Sequence, residues 1–346
     1  MNDTPMDYWT WFAREASRIG SPLYARIAEG IGNDEDMKAI AAHARAGQPH
    51  ANMILAAVHF LLLRGADHPL KRFYPTMGGA AVDEDPFPAF RDFCLAYRAE
   101  VEKLIAAHVT NTNEVGRSAV LHPGFRAAAA QAGEPLNLIE IGPSAGLNMI
   151  WDSYGIEYHR ADGSRFETAD DSPLRIACEL RGEKTIPTGR TPQIKRRIGL
   201  ERDRVDLEKP DDRDWLRALI FADQTARLER LDCAIALFRA ARPEIRSGDA
   251  LELLPDALRA VPETEPLCVY HTIVTYQFSH EMRAALDDIL TVAGLRRPIW
   301  RLAMEGEAKN GDWTYWLTLS HYRDGTIESQ TLAQTHPHGT WLEWQA

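Results

Sequence analysis

The residues best placed to do chemistry sit together at the end of an apolar run. Leu136-Asn-Leu-Ile-Glu-Ile is followed directly by Gly142-Pro-Ser-Ala-Gly146. A strand that runs into a turn of small residues, and then into a helix, lets the backbone approach a ligand closely and points a helix N-terminus at it. Two incompatible chemistries use such a turn. Glu140-x-Gly142-x-Ser144-x-Gly146 reads as the first turn of a nucleotide-type ligand site, whereas Gly142-x-Ser144-x-Gly146 alone matches the elbow that presents a nucleophilic serine in α/β-hydrolases.

The surroundings favour a ligand cradle. Everything before Leu136 reads as helical, so Leu136 to Ile141 is the first strand, where a nucleotide turn belongs; a hydrolase elbow follows several earlier strands. Glu140 lies two residues before the first glycine, as in S-adenosylmethionine (SAM) enzymes, and a carboxylate under a nucleophile gains nothing. Gly142, Ser144, Gly146 and Asn148 would then hold the methionine and ribose end of SAM. Asp162, about 20 residues beyond the turn, reaches ribose hydroxyls in this reading, with Glu157 as competitor. Gly248-Asp249-Ala250 follows a third strand, and Asp249 either accepts from the adenine amino group or caps the next helix. The hydrolase alternative would assemble Ser144, Asp249 and His271.

On the acceptor side, Tyr270-His-Thr-Ile-Val-Thr-Tyr-Gln277 places His271, Thr272 and Tyr276 near the crevice, and Glu305 follows the next strand. A histidine with a pKa near 6.5 suits a general base; a core histidine is the equal alternative. Glu305 is a second candidate acid. His321, His336 and His338 lack acids at ligand spacing, and no metal is expected.

The elements that must position these residues fall into two parts. Residues 1–130 read as an all-helical domain, with Tyr8, Trp11, Phe12 and Ile19, and Met53, Leu55, Val58, Leu62 and Leu63, at helical spacing. Residues 131–346 alternate strands and helices and end in a hairpin turned at Asp324-Gly325, which predicts a Rossmann-like, mostly parallel α/β sheet with an antiparallel edge. Ile156 to Arg160 is the expected second strand. An inserted hairpin is expected at about 165–205, and one long helix from Asp212 to Pro243. The 346 residues carry a formal charge of −11, and the basic run Lys195-Arg196-Arg197 is followed by acids, so nucleic acid is not an expected partner. No apolar segment is long enough to span a bilayer and no signal peptide is evident, so a cytoplasmic protein is expected, its oligomeric state open. The four cysteines are scattered without zinc or disulfide spacing.

The chain resembles a bacterial domain-of-unknown-function family, number 2332, whose C-terminal half looks like a class I SAM-dependent methyltransferase. Thr110-Asn-Thr-Asn-Glu-Val-Gly-Arg117, Ile139 to Asn148, Trp215-Leu-Arg-Ala218, Ser247 to Ala250 and His271-Thr272 carry the resemblance. It implies the fold rather than the reaction. Asn113, Glu114 and Arg117 lie outside the methyltransferase pattern; they either line an acceptor pocket or form a polar hinge. Methyl transfer from SAM to a small molecule, leaving S-adenosylhomocysteine, is the expected activity, with the helical domain as a lid. A non-catalytic metabolite- or partner-binding protein is the alternative.

Overall fold

Residues His50–Leu63 are apolar or small on nearly every side, which leaves a helix no face for water. That helix is the buried centre of an all-helical unit. The computed structural model describes residues 7–80, 83–111, 113–168, 171–309 and 312–346. The chain divides into two compact units, residues 1–112 with 205–232, and 113–204 with 233–346.

The first unit begins with α1 (Tyr8–Arg18), α2 (Pro22–Gly32), α3 (Glu35–Ala41), α4 (His50–Leu63), α5 (Phe87–Ala96) and α6 (Arg98–Ala107). Asp7 and Asp34 cap α1 and α3 by accepting amide hydrogens of their first turns. The chain enters the second unit with α7 (Ser118–Ala132), β1 (Leu136–Ile141), β2 (Gly155–His159), β3 (Arg165–Glu167), β4 (Arg175–Arg181) and β5 (Ile194–Glu201). It returns to the first for α8 (Pro210–Ala218) and the start of α9 (Thr225–Ala241). Trp215, Leu219, Phe221 and Ala222 of this return segment are buried in the first unit's core. The rest of the second unit is β6 (Glu244–Ser247), α10 (Ala250–Arg259), β7 (Leu267–Thr272), α11 (His280–Gly294), β8 (Ile299–Lys309), β9 (Asp312–Arg323), β10 (Thr326–Thr335) and β11 (Trp341–Trp344).

Among the described residues, eleven strands form one mixed, mostly parallel sheet in the order β3-β2-β4-β11-β10-β9-β8-β7-β1-β5-β6. Strands β6, β5, β1, β7 and β8 are mutually parallel. Counted along the chain they stand third, second, first, fourth, fifth, so the direction of winding reverses between β1 and β7. Side-chain alternation gives each strand two faces. Ile139, Ile141 and Val269 pack with Leu254 and Leu258 of α10 and Leu286 and Leu290 of α11. On the other face α7 approaches closely enough that a Cβ on Gly124 would stand 2.9 Å from Leu302. Phe125 of α7 stacks on Trp151, with ring centres 4.7 Å apart, and meets Tyr270 edge-on.

Several expectations change. There is no hairpin at 165–205: β4 pairs with β2 and β11, whereas β5 pairs with β1 and β6. The strand at Gly155–His159 is therefore not the neighbour of β1 but lies near the far edge of the sheet. The basic run Lys195-Arg196-Arg197 belongs to β5, where Arg197 bonds Asp152 (2.6 Å) and Lys195 bonds Glu265 (2.5 Å). The single long helix is two, α8 and α9, and the helix after the glycine turn is a 3-10 segment, Leu147–Ser153, kinked at Ile150. The first unit stops at 112 rather than 130, since α7 packs on the sheet. Among the described residues no helix is long and apolar enough to cross a membrane.

Candidate functional site

The C-terminal ends of β1 and β7 carry the backbone strain of this region. Ser144 and Ile273 both adopt left-handed φ, 56° and 54°. A β-branched residue there is a genuine outlier, and such outliers persist where the surroundings over-determine them. Gly142 (φ 66°) and Gly146 (φ 83°) complete the first turn. Their missing side chains are needed for packing as well: a Cβ on Gly142 would meet Val274 at 2.8 Å, and one on Gly146 would meet Phe238 at 2.7 Å. The two strained turns are thus packed against each other across the point where the winding reverses.

Polar side chains hold the first turn in place. Asn113 Oδ1 accepts from the Leu147 amide (2.7 Å), and buried Asn148 accepts from Ser118 Oγ (2.9 Å) while donating to the Glu114 carbonyl (3.3 Å). Asn113 and Arg117 share no helix face, because only Val115–Arg117 is helical, as a 3-10 turn. Glu201, at the end of β5, accepts from the Ser144 amide (2.7 Å) and the Asp203 amide (3.0 Å). Beside it, Gly248 continues the ladder by donating to the Glu201 carbonyl (3.0 Å). Asp249 caps α10 through the Leu251 amide (2.8 Å), ahead of Ala250. Glu201 has no local signal in the sequence, because the β5 segment reads as half of a hairpin. Asp162, expected at the ribose, lies in the turn after β2, with six strands between β2 and β1, and its carboxylate accepts from Ser164. Glu157, on β2, is equally remote and pairs with Arg165.

His271 is not placed as a base. Alternation on β7 turns it to the α11 side, fully buried, while Tyr270 and Thr272 face α7. Its Nδ1 donates to Glu305 Oε1 (2.5 Å) and its Nε2 accepts from Arg301 Nε (2.9 Å). Arg301 in turn bonds Asp287 (2.7 Å) and the Tyr322 hydroxyl (3.2 Å). Burial, reinforced by the Arg301 charge, lowers the His271 pKa, so the ring is neutral with both nitrogens engaged. The trio Ser144, Asp249 and His271 fails for the same reason: the imidazole has no nitrogen left to accept a proton from serine. Glu305 is what His271 positions. Burial alone would raise its pKa, but the bonds from His271 and from the Val274 and Thr275 amides (3.0 and 3.3 Å) hold it below the ordinary value.

On the α7 face, Glu140 is fully buried and accepts from the Tyr270 hydroxyl (2.8 Å). Burial pushes its pKa up to about 8, so it is a neutral acid at pH 7. Arg117 donates from Nη1 to the Thr272 carbonyl (3.0 Å) and hydroxyl (3.3 Å), and from Nε to the Pro337 carbonyl (3.0 Å). Glu114 bonds His338 Nδ1 (3.0 Å) and the Gly116 amide (3.1 Å). Tyr276, 56% exposed, rises from the 3-10 turn Thr275–Gln277 beyond β7. The structure therefore gathers Asn113, Glu114, Arg117, Glu140, the 142–148 turn, Glu201, Asp249, Thr272 and Glu305 along the strand ends. Among the described residues no group of three or more His, Cys, Asp or Glu is arranged to hold a metal.

A bacterial family described as an uncharacterised conserved protein, DUF2332, matches residues 7–344. No curated protein matches, and neither does any solved structure.

Proposed function

The chain belongs to this bacterial family, and on that premise we propose that its second unit binds S-adenosylmethionine and directs its methyl group to a small-molecule acceptor. The reversal of winding between β1 and β7 carries the reading, because ligands of open parallel sheets bind outside the strand ends where the order reverses. The strained turns at Ser144 and Ile273 sit on the two strands that flank it.

The residues present fit the group. Each Glu201 oxygen accepts a single amide, which leaves lone pairs for ribose hydroxyls. Asp249 uses only Oδ1 in capping α10, so Oδ2 can accept from an amino group. Bound SAM would supply a methyl group activated by a sulfonium charge. The chain's task is then to hold, orient and desolvate, since in-line transfer gains most from alignment. The buried, uncharged Glu140 beneath the turn keeps a negative charge from being fixed there at neutral pH.

Calorimetry on the full chain with SAM and S-adenosylhomocysteine tests the reading. Micromolar binding, weakened about tenfold or more by Glu201→Ala, roughly 1.4 kcal/mol, supports it. Absence of binding at millimolar ligand in a folded sample sinks it.

A further inference from the structure

Arg117 and Glu305 bear opposite charges, stand within electrostatic reach of each other, and yet form no pair. Each is fixed by other groups. Arg117 spends Nε and Nη1 on the Pro337 and Thr272 oxygens, and Nη2 has no partner among the described residues. Glu305 commits Oε1 to three donors, His271 Nδ1 and the Val274 and Thr275 amides. Its Oε2 has no partner among the described residues, and its side chain is 19% exposed. Arg117 ends the 3-10 turn that leads into α7, on one face of the sheet; Glu305 shares the other face with His271. Both are tied to the C-terminal edge of β7, Arg117 through Thr272 and Glu305 through the Val274 and Thr275 amides, beside the point where the Ile273 amide bonds the Met304 carbonyl (2.7 Å).

Holding a cation and an anion apart in a partly desolvated place forgoes their attraction, and each retains one free atom. A ligand carrying both charges satisfies both. The remaining Nη2 of the guanidinium suits a carboxylate oxygen, and the fixed carboxylate suits an ammonium. We infer that Arg117 and Glu305 form a clamp for the α-amino-acid zwitterion of the acceptor substrate, carboxylate on Arg117 and ammonium on Glu305 Oε2. Its assignment to the acceptor rests on the proposed function. Glu201 and Asp249, the nucleoside-side acids, lie at the ends of β5 and β6 on one side of β1, whereas the clamp lies at β7 and β8 on the other.

Saturation-transfer NMR on the full chain tests this, with the proteinogenic L-amino acids as probes, alone and with S-adenosylhomocysteine. At least one amino acid binds, and the corresponding decarboxylated amine and deaminated keto acid do not. Binding is lost in Arg117→Met and in Glu305→Gln. The second variant guards against a folding artefact, because the amide oxygen still accepts the three donors while the new NH2 faces the ammonium. Melting curves confirm that each variant is folded. No binding by any amino acid to the folded protein overturns the clamp. Displacement of the amino acid by S-adenosylhomocysteine overturns its assignment to a separate acceptor. Amino-acid binding by a protein that binds neither SAM nor S-adenosylhomocysteine at millimolar concentration in calorimetry upholds the clamp and removes the methyl-transfer reading instead.

Discussion

Glu140 sits in an environment far from what its type leads one to expect. An unfolded glutamate loses its proton near 4.5, and the folded one near 8. Between those values the native state keeps a proton that the unfolded chain has released, so stability falls as pH rises. The slope approaches about 1.4 kcal/mol per pH unit and vanishes below the lower value and above the upper. In Glu140→Gln, whose amide oxygen can still accept from Tyr270, that slope disappears; urea unfolding at pH 5, 7 and 9 measures it. His271 makes a contrasting case. Replacing it with leucine strands Arg301 Nε and removes the strongest donor to Glu305, so His271→Leu costs about 3 kcal/mol in the same assay. Its cost is that of a positioning residue. The sequence announced a histidine near the crevice, but its use followed from strand parity, since a shift of one residue along β7 exchanges the sheet faces.

At the scale of elements, the turn after β1 is built to be intolerant. Gly146→Ala must place a Cβ at left-handed φ and 2.7 Å from Phe238, and should cost at least about 2 kcal/mol. Gly163→Ala, at φ 84° with nothing within 4 Å, should cost about 1 kcal/mol, the backbone contribution alone. Thermal melts of the two variants separate packing from conformation. Elements marked by local signals were legible in the sequence: β1 by its apolar run, α10 by Asp249, α11 by Ser279, and the β9–β10 hairpin by Asp324-Gly325. What stayed hidden was pairing between distant segments. Nothing local distinguishes a parallel strand inside the sheet with a solvated basic start, such as β5, from half of a surface hairpin. Glu201 is concealed with it, and the spacing alone points to Asp162 instead. The adjoining segment 147–153 was legible as a helix, but its 3-10 form and its kink at Ile150 were not, and neither was the long-range acceptor of its first amide, Asn113, 34 residues upstream. The glycine turn itself was legible because φ and close packing both demand small residues there.

At the scale of the whole molecule, the chain visits the first unit twice. Among the described residues, the 1–112 segment supplies six α-helices, but Trp215, Leu219, Phe221 and Ala222 come from the second visit and are buried in the same core. Phe221 packs against Tyr24, with ring centres 4.8 Å apart, and against Phe12 at 6.0 Å. Ser21 Oγ and the Leu23 amide both bond Asp223, at 2.6 and 3.0 Å. A fragment of residues 1–112 should therefore melt without cooperativity, and co-expression with 205–232 should restore a sharp transition, read by near-UV circular dichroism. The same interleaving sets an order of events during synthesis. A ribosome adds roughly 5–20 residues per second, so the segment that closes the first core is made on the order of ten seconds after the six helices. Throughout that interval the site that Phe221 will fill stands open on the nascent chain. The protein's most exposed moment thus precedes its completion, and a chaperone's greatest benefit would fall there.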